Sequence, residues 1–280
     1  MKVLCCLNAD IVSNVALNLL IPALAPHEVH VALSARVGRS GDDRQDPPSR
    51  HDLRMAEQRY AQDVLFPLVE RAAFADDGRY LTFGEIEHHR GISVTALPNP
   101  NSGEGLTLIQ RFAPDLILSI RYGAIFKAPA IAVPRLGILN LHAGLLPAYR
   151  GVIATFRALM AEEREIGCTL HYIADGTIDT GPVVGRSPVT VDRERSLFWN
   201  VLSLYPSGVA LMSDALGRLT GGQQLATSEQ HGGTYFSYPS AAEWNDFLHR
   251  GWRVVDPGDL HELSLRYLSR APAGGAPARV

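Results

Sequence analysis

Residues 137–184 begin with the run GILNLHAGLLPAYRG and end with GCTLHYIADGTIDTGPVV. In the first run, Asn140 and His142 lie two positions apart in an apolar stretch. Residues i and i+2 of a strand face the same side, so we expect both side chains to project together at the carboxyl end of a strand over 137–142. Asp179 follows in an IDTG loop, and we expect this loop to bring its carboxylate to the same place.

An amide, an imidazole and a carboxylate together can support the transfer of an acyl group to an amine. The Asn140 amide can hold the oxyanion that forms when an amine attacks a carbonyl, an interaction worth about 3 kcal/mol in comparable sites. The His142 imidazole can hold the same oxygen or move a proton. The Asp179 carboxylate can orient the ring and relay a proton through water. Taken singly, N-x-H and D-T-G are more often ordinary strand and turn residues, and only their combination is specific.

In this order, N-L-H, L-L-P-A-Y-R-G and the Asp-Thr-Gly loop resemble the formyltransferase superfamily. Its members move a formyl group from N10-formyltetrahydrofolate to an amine. The family pattern is N-[IL]-H-x-x-L-L-P followed by an Asp-Thr-Gly or Asp-Gly-Gly loop, and it assigns catalysis to Asn140, His142 and Asp179. The resemblance is firm over about 115–184 and fades after about residue 221. It implies an α/β formyltransferase fold.

The resemblance also implies where the folate co-substrate binds. The stretch SIRYGAIF over 119–126 precedes Asn140 at the distance at which the family holds the pterin, and the loop over 174–178 would close over its other face. An apolar slot with a few fixed donors and acceptors suits a flat heterocycle. As ordinary strand-end residues, Arg121 and Tyr122 would need no such role. The residues assigned to this site are Arg121, Tyr122, Gly123, Ile125, Ala174, Asp175, Gly176 and Thr177.

The candidate substrate-binding residues are Asn8, Asp10, Tyr149 and Arg150. The first two lie in NADIVSN over 8–14, after the first predicted strand, where G-x-G-x-x-G is absent. This disfavours a dinucleotide cofactor, and the lack of a Gly-rich phosphate loop argues against a phosphoribosyl substrate. We expect Arg150, or another cation nearby, to pair with a carboxylate of the acceptor. The alternative is that Arg150 is a structural loop residue.

Several stretches indicate which amine is the acceptor. RYGAIF, LLPAYRGVIATFRALM and YPSAAEW resemble the hydroxyornithine transformylases of siderophore assembly, which formylate the side-chain hydroxylamine of N5-hydroxyornithine. The alternative acceptor is a nucleotide-linked 4-amino-4,6-dideoxy sugar, although the chain lacks the Asn-Pro and Trp typical of sugar N-formyltransferases around 149–157. A folate-binding protein without transfer activity is an alternative from another class. Hydrolysis of the formyl group is a third possibility.

The composition bounds the class of protein. The chain has 280 residues, 46% hydrophobic, with a net charge of −3, which suits one large core or a main domain with an appendage. The near-neutral net charge does not indicate binding to nucleic acid. The sequence has neither an 18-residue apolar run nor a signal-peptide pattern. We therefore expect a cytoplasmic protein with a small-molecule substrate, no membrane span and no catalytic metal. Cys5, Cys6 and Cys168 are expected to be buried, reduced packing residues.

The hydrophobic patterns predict how the chain is organised. Strand patterns cover 2–7, 29–34, 115–120, 137–142 and 168–173, and helical patterns cover 14–20, 52–73, 105–112 and 196–219. This alternation predicts an α/β fold with a mostly parallel, Rossmann-like sheet. We expect an Asn or Ser cap on the first helix, and a loop or insertion over 35–49.

We also expect two parts along the chain. A catalytic domain covers 1–192, and 193–280 forms a helical segment and a small aromatic-anchored element, with a frayed tail from about 271. This tail is too short for the carboxyl-terminal barrel of the tRNA enzyme of the family. Initiator tRNA is therefore not the expected acceptor.

Overall fold

The computed structural model describes residues 1–34, 47–76 and 78–269. Within these ranges a central seven-stranded sheet consists of β1 (Lys2–Asn8), β2 (Glu28–Ser34), β3 (Ser93–Ala96), β4 (Leu116–Ile120), β5 (Ile138–His142), β7 (Glu165–Tyr172) and β8 (Val183–Thr190). The strand order is β3-β2-β1-β4-β5-β7-β8. A separate two-stranded sheet pairs β6 (Tyr149–Gly151) with β9 (Thr234–Phe236).

Helices cover both faces of the large sheet. In chain order they are α1 (Ile11–Leu24), α2 (Pro48–Arg54), a π-helix (Met55–Leu65), α3 (Phe66–Ala72), α4 (Phe83–Arg90), α5 (Gly103–Phe112), α6 (Ala128–Ile131), α7 (Ala154–Met160), α8 (Leu197–Leu202), α9 (Tyr205–Thr220), α10 (Ala241–His249) and α11 (Pro257–Leu268).

The prediction of a mostly parallel sheet is confirmed. Strands β3, β2, β1, β4 and β5 run parallel, whereas β7 and β8 continue the sheet antiparallel. Strand β8 was not predicted. It lies at the edge with alternate residues exposed, and it contains Pro188, so its apolar signal is weak.

The central strand β1 is buried from Val3 to Asn8, as expected where helices cover both faces of a parallel sheet. Adjacent residues face opposite sides, and accordingly Cys5 and Cys6 belong to two different hydrophobic clusters. All three cysteines are buried and free of disulfides, which confirms the prediction that they are packing residues.

Two predictions about the amino-terminal helices were wrong in detail. Helix α1 begins at Ile11, and its cap is Asp10, whose Oδ1 accepts from the Ser13 N–H at 2.7 Å. The helical segment predicted over 52–73 begins at Pro48, inside the predicted loop, and its middle is an 11-residue π-helix. Residues 35–46 of that predicted loop lie outside the described residues.

In the π-helix, Glu57 and Gln62 lie five residues apart, which is close to one turn when each bond spans i to i+5. Both reach the edge of the sheet. Glu57 Oε2 accepts from Arg121 Nη2 at 2.7 Å, and Gln62 Nε2 donates to the Ala9 carbonyl at 2.5 Å. The π-helix is therefore attached to the carboxyl ends of β1 and β4.

The carboxyl-terminal part packs against the same core. Trp244 and Phe247 contact the Phe156 ring, with centroids 4.5 and 4.9 Å away, and the buried Tyr267 hydroxyl donates to Asn14 Oδ1 at 2.7 Å. Helix α11 was not predicted, and the domain division near residue 192 stays a prediction. None of the helices within the described ranges is both long enough and apolar enough to cross a membrane.

Two glycines of α9 provide a matched test of this packing. A Cβ at Gly208 would lie 2.8 Å from Cys168 Sγ and 2.9 Å from its Cβ, whereas a Cβ at Gly217 would meet nothing within 4 Å. We expect Gly208→Ala to lower the free energy of unfolding by about 1–3 kcal/mol through overpacking. Gly217→Ala should raise it by about 0.5–1 kcal/mol because alanine favours the helix. Urea unfolding measures both, and equal effects would contradict the packing of α9 on β7.

Candidate active site

The carboxyl ends of β1, β4 and β5 stand side by side. Leu7 pairs with Ile120, and Ile120 pairs with Leu141. The next residue of each strand, namely Asn8, Arg121 and His142, therefore lies at one edge of the sheet. Open α/β sheets bind their ligands at this edge.

His142 is buried and held at both ring nitrogens. Nε2 contacts the Tyr149 carbonyl oxygen at 2.7 Å, and Nδ1 lies 3.4 Å from Asp179 Oδ2. A carbonyl oxygen only accepts hydrogen bonds, so Nε2 carries a hydrogen. The structure thus brings together His142 and Asp179, which lie 37 residues apart in the sequence.

Asn140 faces a residue that sequence reasoning missed. His171 lies directly opposite Asn140 in the antiparallel pair β5–β7, and Asn140 Nδ2 lies 3.0 Å from His171 Nε2. Since His171 Nδ1 donates to the Tyr172 carbonyl at 2.9 Å, we assign Nε2 as the acceptor of the amide hydrogen. The 3.6 Å between His171 Nε2 and Asp179 Oδ1 is too long for a hydrogen bond. His171 lies in the L-H-Y of residues 170–172, inside the stretch 137–184. Its partner, Asn140, is seen only from the antiparallel register of β5 and β7.

The Asp179 carboxylate is the buried charge of the site. Its backbone has φ +55°, and its Oδ2 accepts from the Gly151 N–H at 2.9 Å. Burial alone would raise the pKa of this carboxyl, but the charge on His142, the contact with His171 and the Gly151 N–H lower it to about 2. Asp179 is therefore ionised in neutral solution.

A segment far along the chain holds the Asp179 loop. Gln230 Nε2 donates to the Gly181 carbonyl at 2.6 Å and contacts the Asp179 carbonyl at 3.3 Å. Gly151, which donates to Asp179, pairs with Phe236 of β9 and has φ +100°. A Cβ at Gly151 would lie 2.1 Å from the Phe236 carbonyl oxygen, so only glycine fits. No local sequence signal points to Gln230, because its contacts are about fifty residues away.

Two loops face each other beside the catalytic residues. Tyr122 stacks on Phe126 with centroids 5.3 Å apart, and its hydroxyl donates to the Leu97 carbonyl. A Cβ at Gly176 would lie 3.8 Å from the Phe126 carbonyl oxygen, so the second loop approaches the first. Ile125 and Ile178 are 49% and 36% exposed. Exposed apolar side chains on both loops fit a flat heterocycle.

The remaining residues assigned to the folate site lie in these same loops. Gly123 donates its N–H to Ser34 Oγ at 2.9 Å, and Ala174 begins the second loop. Asp175 Oδ1 accepts from the Thr177 N–H at 2.7 Å, so these two side chains stabilise a turn. Their contacts to folate stay predictions.

Arg121, assigned to folate, points instead toward β1. Its Nε donates to Asp10 Oδ2 at 3.1 Å and its Nη2 to Glu57 Oε2 at 2.7 Å. Asn8 Nδ2 donates to the same Asp10 oxygen at 2.7 Å. Burial raises the pKa of Glu57 to about 7. The charge of Asp10 acts in the same direction, whereas the charge of Arg121 lowers this pKa. We call Asn8, Asp10, Glu57 and Arg121 the Arg121 cluster. Glu57 was missed because nothing in a helical sequence indicates so distant a partner.

Tyr149 and Arg150 face the carboxyl-terminal strand. The Tyr149 hydroxyl donates to Glu163 Oε1 at 2.7 Å, and only its carbonyl contacts His142. Arg150 Nη2 donates to the Gly233 carbonyl at 3.1 Å, while its buried Nε has no partner among the described residues. Both substrate-binding assignments stay predictions.

Known proteins match this part of the chain. Residues 99–198, which contain Arg121, Asn140, His142, His171 and Asp179, match the family model for formyl transferase. This part of the chain is therefore similar to the formyltransferases. Over 147 residues the chain is 30% identical to a methionyl-tRNA formyltransferase of Kosmotoga olearia, covering 52% of this chain and 47% of the relative. The chain thus matches about half the length of that curated relative.

Solved structures share the fold. A 4-N formyltransferase from Francisella tularensis has a TM-score of 0.57 at 15% identity, covering 97% of this chain and 89% of that one. An N-formyltransferase from Helicobacter canadensis, in complex with folinic acid and dTDP-3-aminofucose, has a TM-score of 0.52 at 19% identity, covering 85% and 71%. Such low identity supports the fold alone. Within the described residues, no group of three or more His, Cys, Asp or Glu is arranged to hold a metal ion.

The charge of Asp179 should be measurable as stability. Its carboxyl has a pKa below the ordinary value of 3.8, so its contribution is present above about pH 4 and is lost as the pH falls towards 2. We expect Asp179→Asn to lower the free energy of unfolding at pH 7 by about 1–3 kcal/mol, with the deficit shrinking in acid. Asp214→Asn, at an exposed aspartate of α9, is the control and should leave stability unchanged. A deficit that does not depend on pH would contradict the proposed charge network.

Gln230 should act by positioning the Asp179 loop. We expect Gln230→Ala to lower the rate of formyl transfer by roughly 10–100-fold, because a small displacement of the catalytic carboxylate is costly. Folate affinity should stay unchanged. Gln223→Ala, an exposed glutamine after α9, is the matched control. Amide hydrogen exchange at Gly181 should speed up in the Gln230 variant alone; unchanged exchange together with unchanged rate would refute this role.

Proposed function

We propose that this chain transfers a formyl group from N10-formyltetrahydrofolate to the nitrogen of a small metabolite. The observation that carries the proposal is the meeting of Asn140, His142 and Asp179 at the carboxyl end of β5, with the Nδ1 of His142 3.4 Å from the Asp179 carboxylate. The match of residues 99–198 to the family model for formyl transferase supports the reaction class. The apolar slot between residues 121–126 and 174–178 supports folate as the formyl donor.

The chemistry assigns a role to each residue. The acceptor nitrogen attacks the formyl carbon, and the formyl oxygen becomes an oxyanion. Asn140 has a second amide hydrogen besides the one given to His171, and this hydrogen stabilises the oxyanion together with the His142 imidazole. The carbon–nitrogen bond to the folate then breaks. Asp179 is ionised, so with His142 and water it accepts the proton that the attacking nitrogen loses, and N10 of the folate takes up a proton.

For the acceptor we propose N5-hydroxyornithine. The stretches around 121–126, 145–160 and 238–244 support this choice by their resemblance to hydroxyornithine transformylases. The buried Arg121 cluster at the end of β1 also supports it, because it offers charged groups to a polar metabolite. No acceptor of this kind is named among the relatives described above.

A nucleotide-linked 4-amino sugar is the second candidate. It is worth testing because the N-formyltransferase of Helicobacter canadensis, which shares this fold, was solved with dTDP-3-aminofucose, a nucleotide-linked amino sugar. The matched methionyl-tRNA formyltransferase makes aminoacyl-tRNA a third acceptor to test.

The test is a release assay with 10-formyltetrahydrofolate and a panel of acceptors, read as formation of tetrahydrofolate. The panel contains N5-hydroxyornithine, ornithine, dTDP- and GDP-linked 4-amino sugars, and methionyl-tRNA. Turnover with hydroxyornithine alone supports the proposed acceptor, and turnover with one of the others replaces it. Folate binding without any turnover would identify a folate-binding protein and refute the transfer proposal.

Asn140 provides the sharpest mutational test. We expect Asn140→Ala to lower kcat by about 100–1000-fold, because an oxyanion donor is lost, and to leave folate affinity within threefold. Asn245→Ala, on the exposed face of α10, is the matched control and should behave as wild type. If Asn140→Ala retains near wild-type kcat, the oxyanion assignment is wrong.

A further inference from the structure

The Arg121 cluster lies next to the catalytic residues. Arg121 follows Ile120, which pairs with Leu141, so Arg121 stands one strand away from His142. Its guanidinium turns away from β5 toward Asp10 at the end of β1. Neighbouring strands lie about 5 Å apart, so the backbones of Arg121 and His142 are about one strand spacing from each other. A short acceptor with its reacting nitrogen at His142 can therefore reach the cluster with its other end.

Within the cluster, one guanidinium is shared by two carboxylates. Both carboxylate oxygens of Asp10 have hydrogen-bond partners. Oδ1 accepts from the Ser13 N–H, and Oδ2 accepts from the side chains of Asn8 and Arg121. Glu57 differs, because in the described part of the chain only its Oε2 has a hydrogen-bond partner. The side chains of Arg121 and Glu57 are 15% and 14% exposed, so a ligand can reach them.

A second buried polar group faces this cluster. Tyr205 is fully buried, and its hydroxyl lies beside the Arg121 guanidinium and Asp10. Because no surface of Tyr205 is exposed, its hydroxyl supports the Arg121 guanidinium from inside the protein and is closed to a ligand. Glu57 Oε1 differs: it is an acceptor that has no donor among the described residues.

The charges select the kind of ligand group. An ammonium group has three donors and no acceptor, which matches the free carboxylate oxygen of Glu57. An anionic group such as a phosphate would meet Arg121 only where Asp10 and Glu57 already bind it, and their charge would repel it. Another cation, Arg50, stacks on the ring of Tyr238, which is itself close to Glu57.

We propose that Glu57, held in place by Arg121, binds the ammonium group of an amino-acid acceptor, at the opposite end from the nitrogen that is formylated. The inference rests on the proposed formyl transfer and names the residue that would select a zwitterionic amino acid with a short aliphatic side chain as the acceptor. In this arrangement Glu57 determines specificity and takes no part in the chemical step. The π-helix supplies this residue because it brings Glu57 to the sheet edge.

The test removes the charge at either partner. Glu57→Gln keeps an oxygen for Arg121 but lacks the negative charge, and the α-N-acetyl derivative of N5-hydroxyornithine lacks the ammonium. We expect Glu57→Gln to raise the KM for N5-hydroxyornithine by about 10–100-fold, because one hydrogen bond to a charged group is lost. The kcat and the KM for folate should stay within about threefold of wild type. With the acetyl derivative, wild type and Glu57→Gln should have the same raised KM.

Asp63→Asn is the matched control, since Asp63 lies on the same π-helix in an exposed pair with Arg59 and should have wild-type kinetics. A KM that Glu57→Gln raises equally for both acceptors would refute the proposal, as would a loss confined to kcat. So would turnover of a sugar nucleotide alone.

If no acceptor is turned over, the proposal of formyl transfer fails. Calorimetric titration with ornithine then tests separately whether Glu57 binds an ammonium group. Binding to wild type that Glu57→Gln weakens by tenfold or more supports it, whereas absent or equal binding overturns it. Unchanged folate affinity in Glu57→Gln shows that the variant is folded.

Discussion

The buried carboxylate of Asp179 is the interaction on which the site depends. An ionised carboxylate away from water is tolerated only when hydrogen bonds and opposite charges replace its hydration. Here the Gly151 N–H and the His142 imidazole do so. Those partners come from β6 and β5, and Asp179 itself lies in the loop after β7, so the charge holds three parts of the chain together. The antiparallel direction of β7 is essential, because it places His171 opposite Asn140.

The edge of the sheet has different chemistry on its two sides. On one side, Tyr122, Ile125 and Ile178 offer apolar surface between two loops, which suits a flat ring. On the other side, Asp10, Glu57 and Arg121 form a buried charged group. His142 lies one strand from Arg121. The proposed transfer needs two molecules bound close together, and these two kinds of surface at one edge of the sheet would suit a flat donor and a polar acceptor.

The sequence indicates this site unequally. Asn140 and His142 follow from strand periodicity, and the order of the motifs brings in Asp179, so the centre of the site and the parallel part of the sheet were predictable. His171 was not assigned, because its role comes from the register of an antiparallel pair. Glu57 and Gln230 could not be found, since each acts over about fifty residues of chain or more, and the π-helix follows no simple periodicity. The same limit applies to the partners of Arg121, which lie at the start of α1 and on the π-helix.

Backbone strain marks the same positions. Of the six described non-glycine residues with positive φ, Ala73 and Ala113 end helices, where the left-handed conformation is common, and Ile153 and Glu162 flank α7. Arg121 and Asp179, with φ +56° and +55°, lie instead at the carboxyl edge of the sheet, and each costs on the order of 1 kcal/mol. Their side chains are each bound by at least two partners, so the strained backbone is held by the groups that it positions. Relaxing either residue would turn a charged side chain away from the edge. The strained backbone is therefore kept at two positions where it orients a charged side chain. Helix packing does not require it at either position.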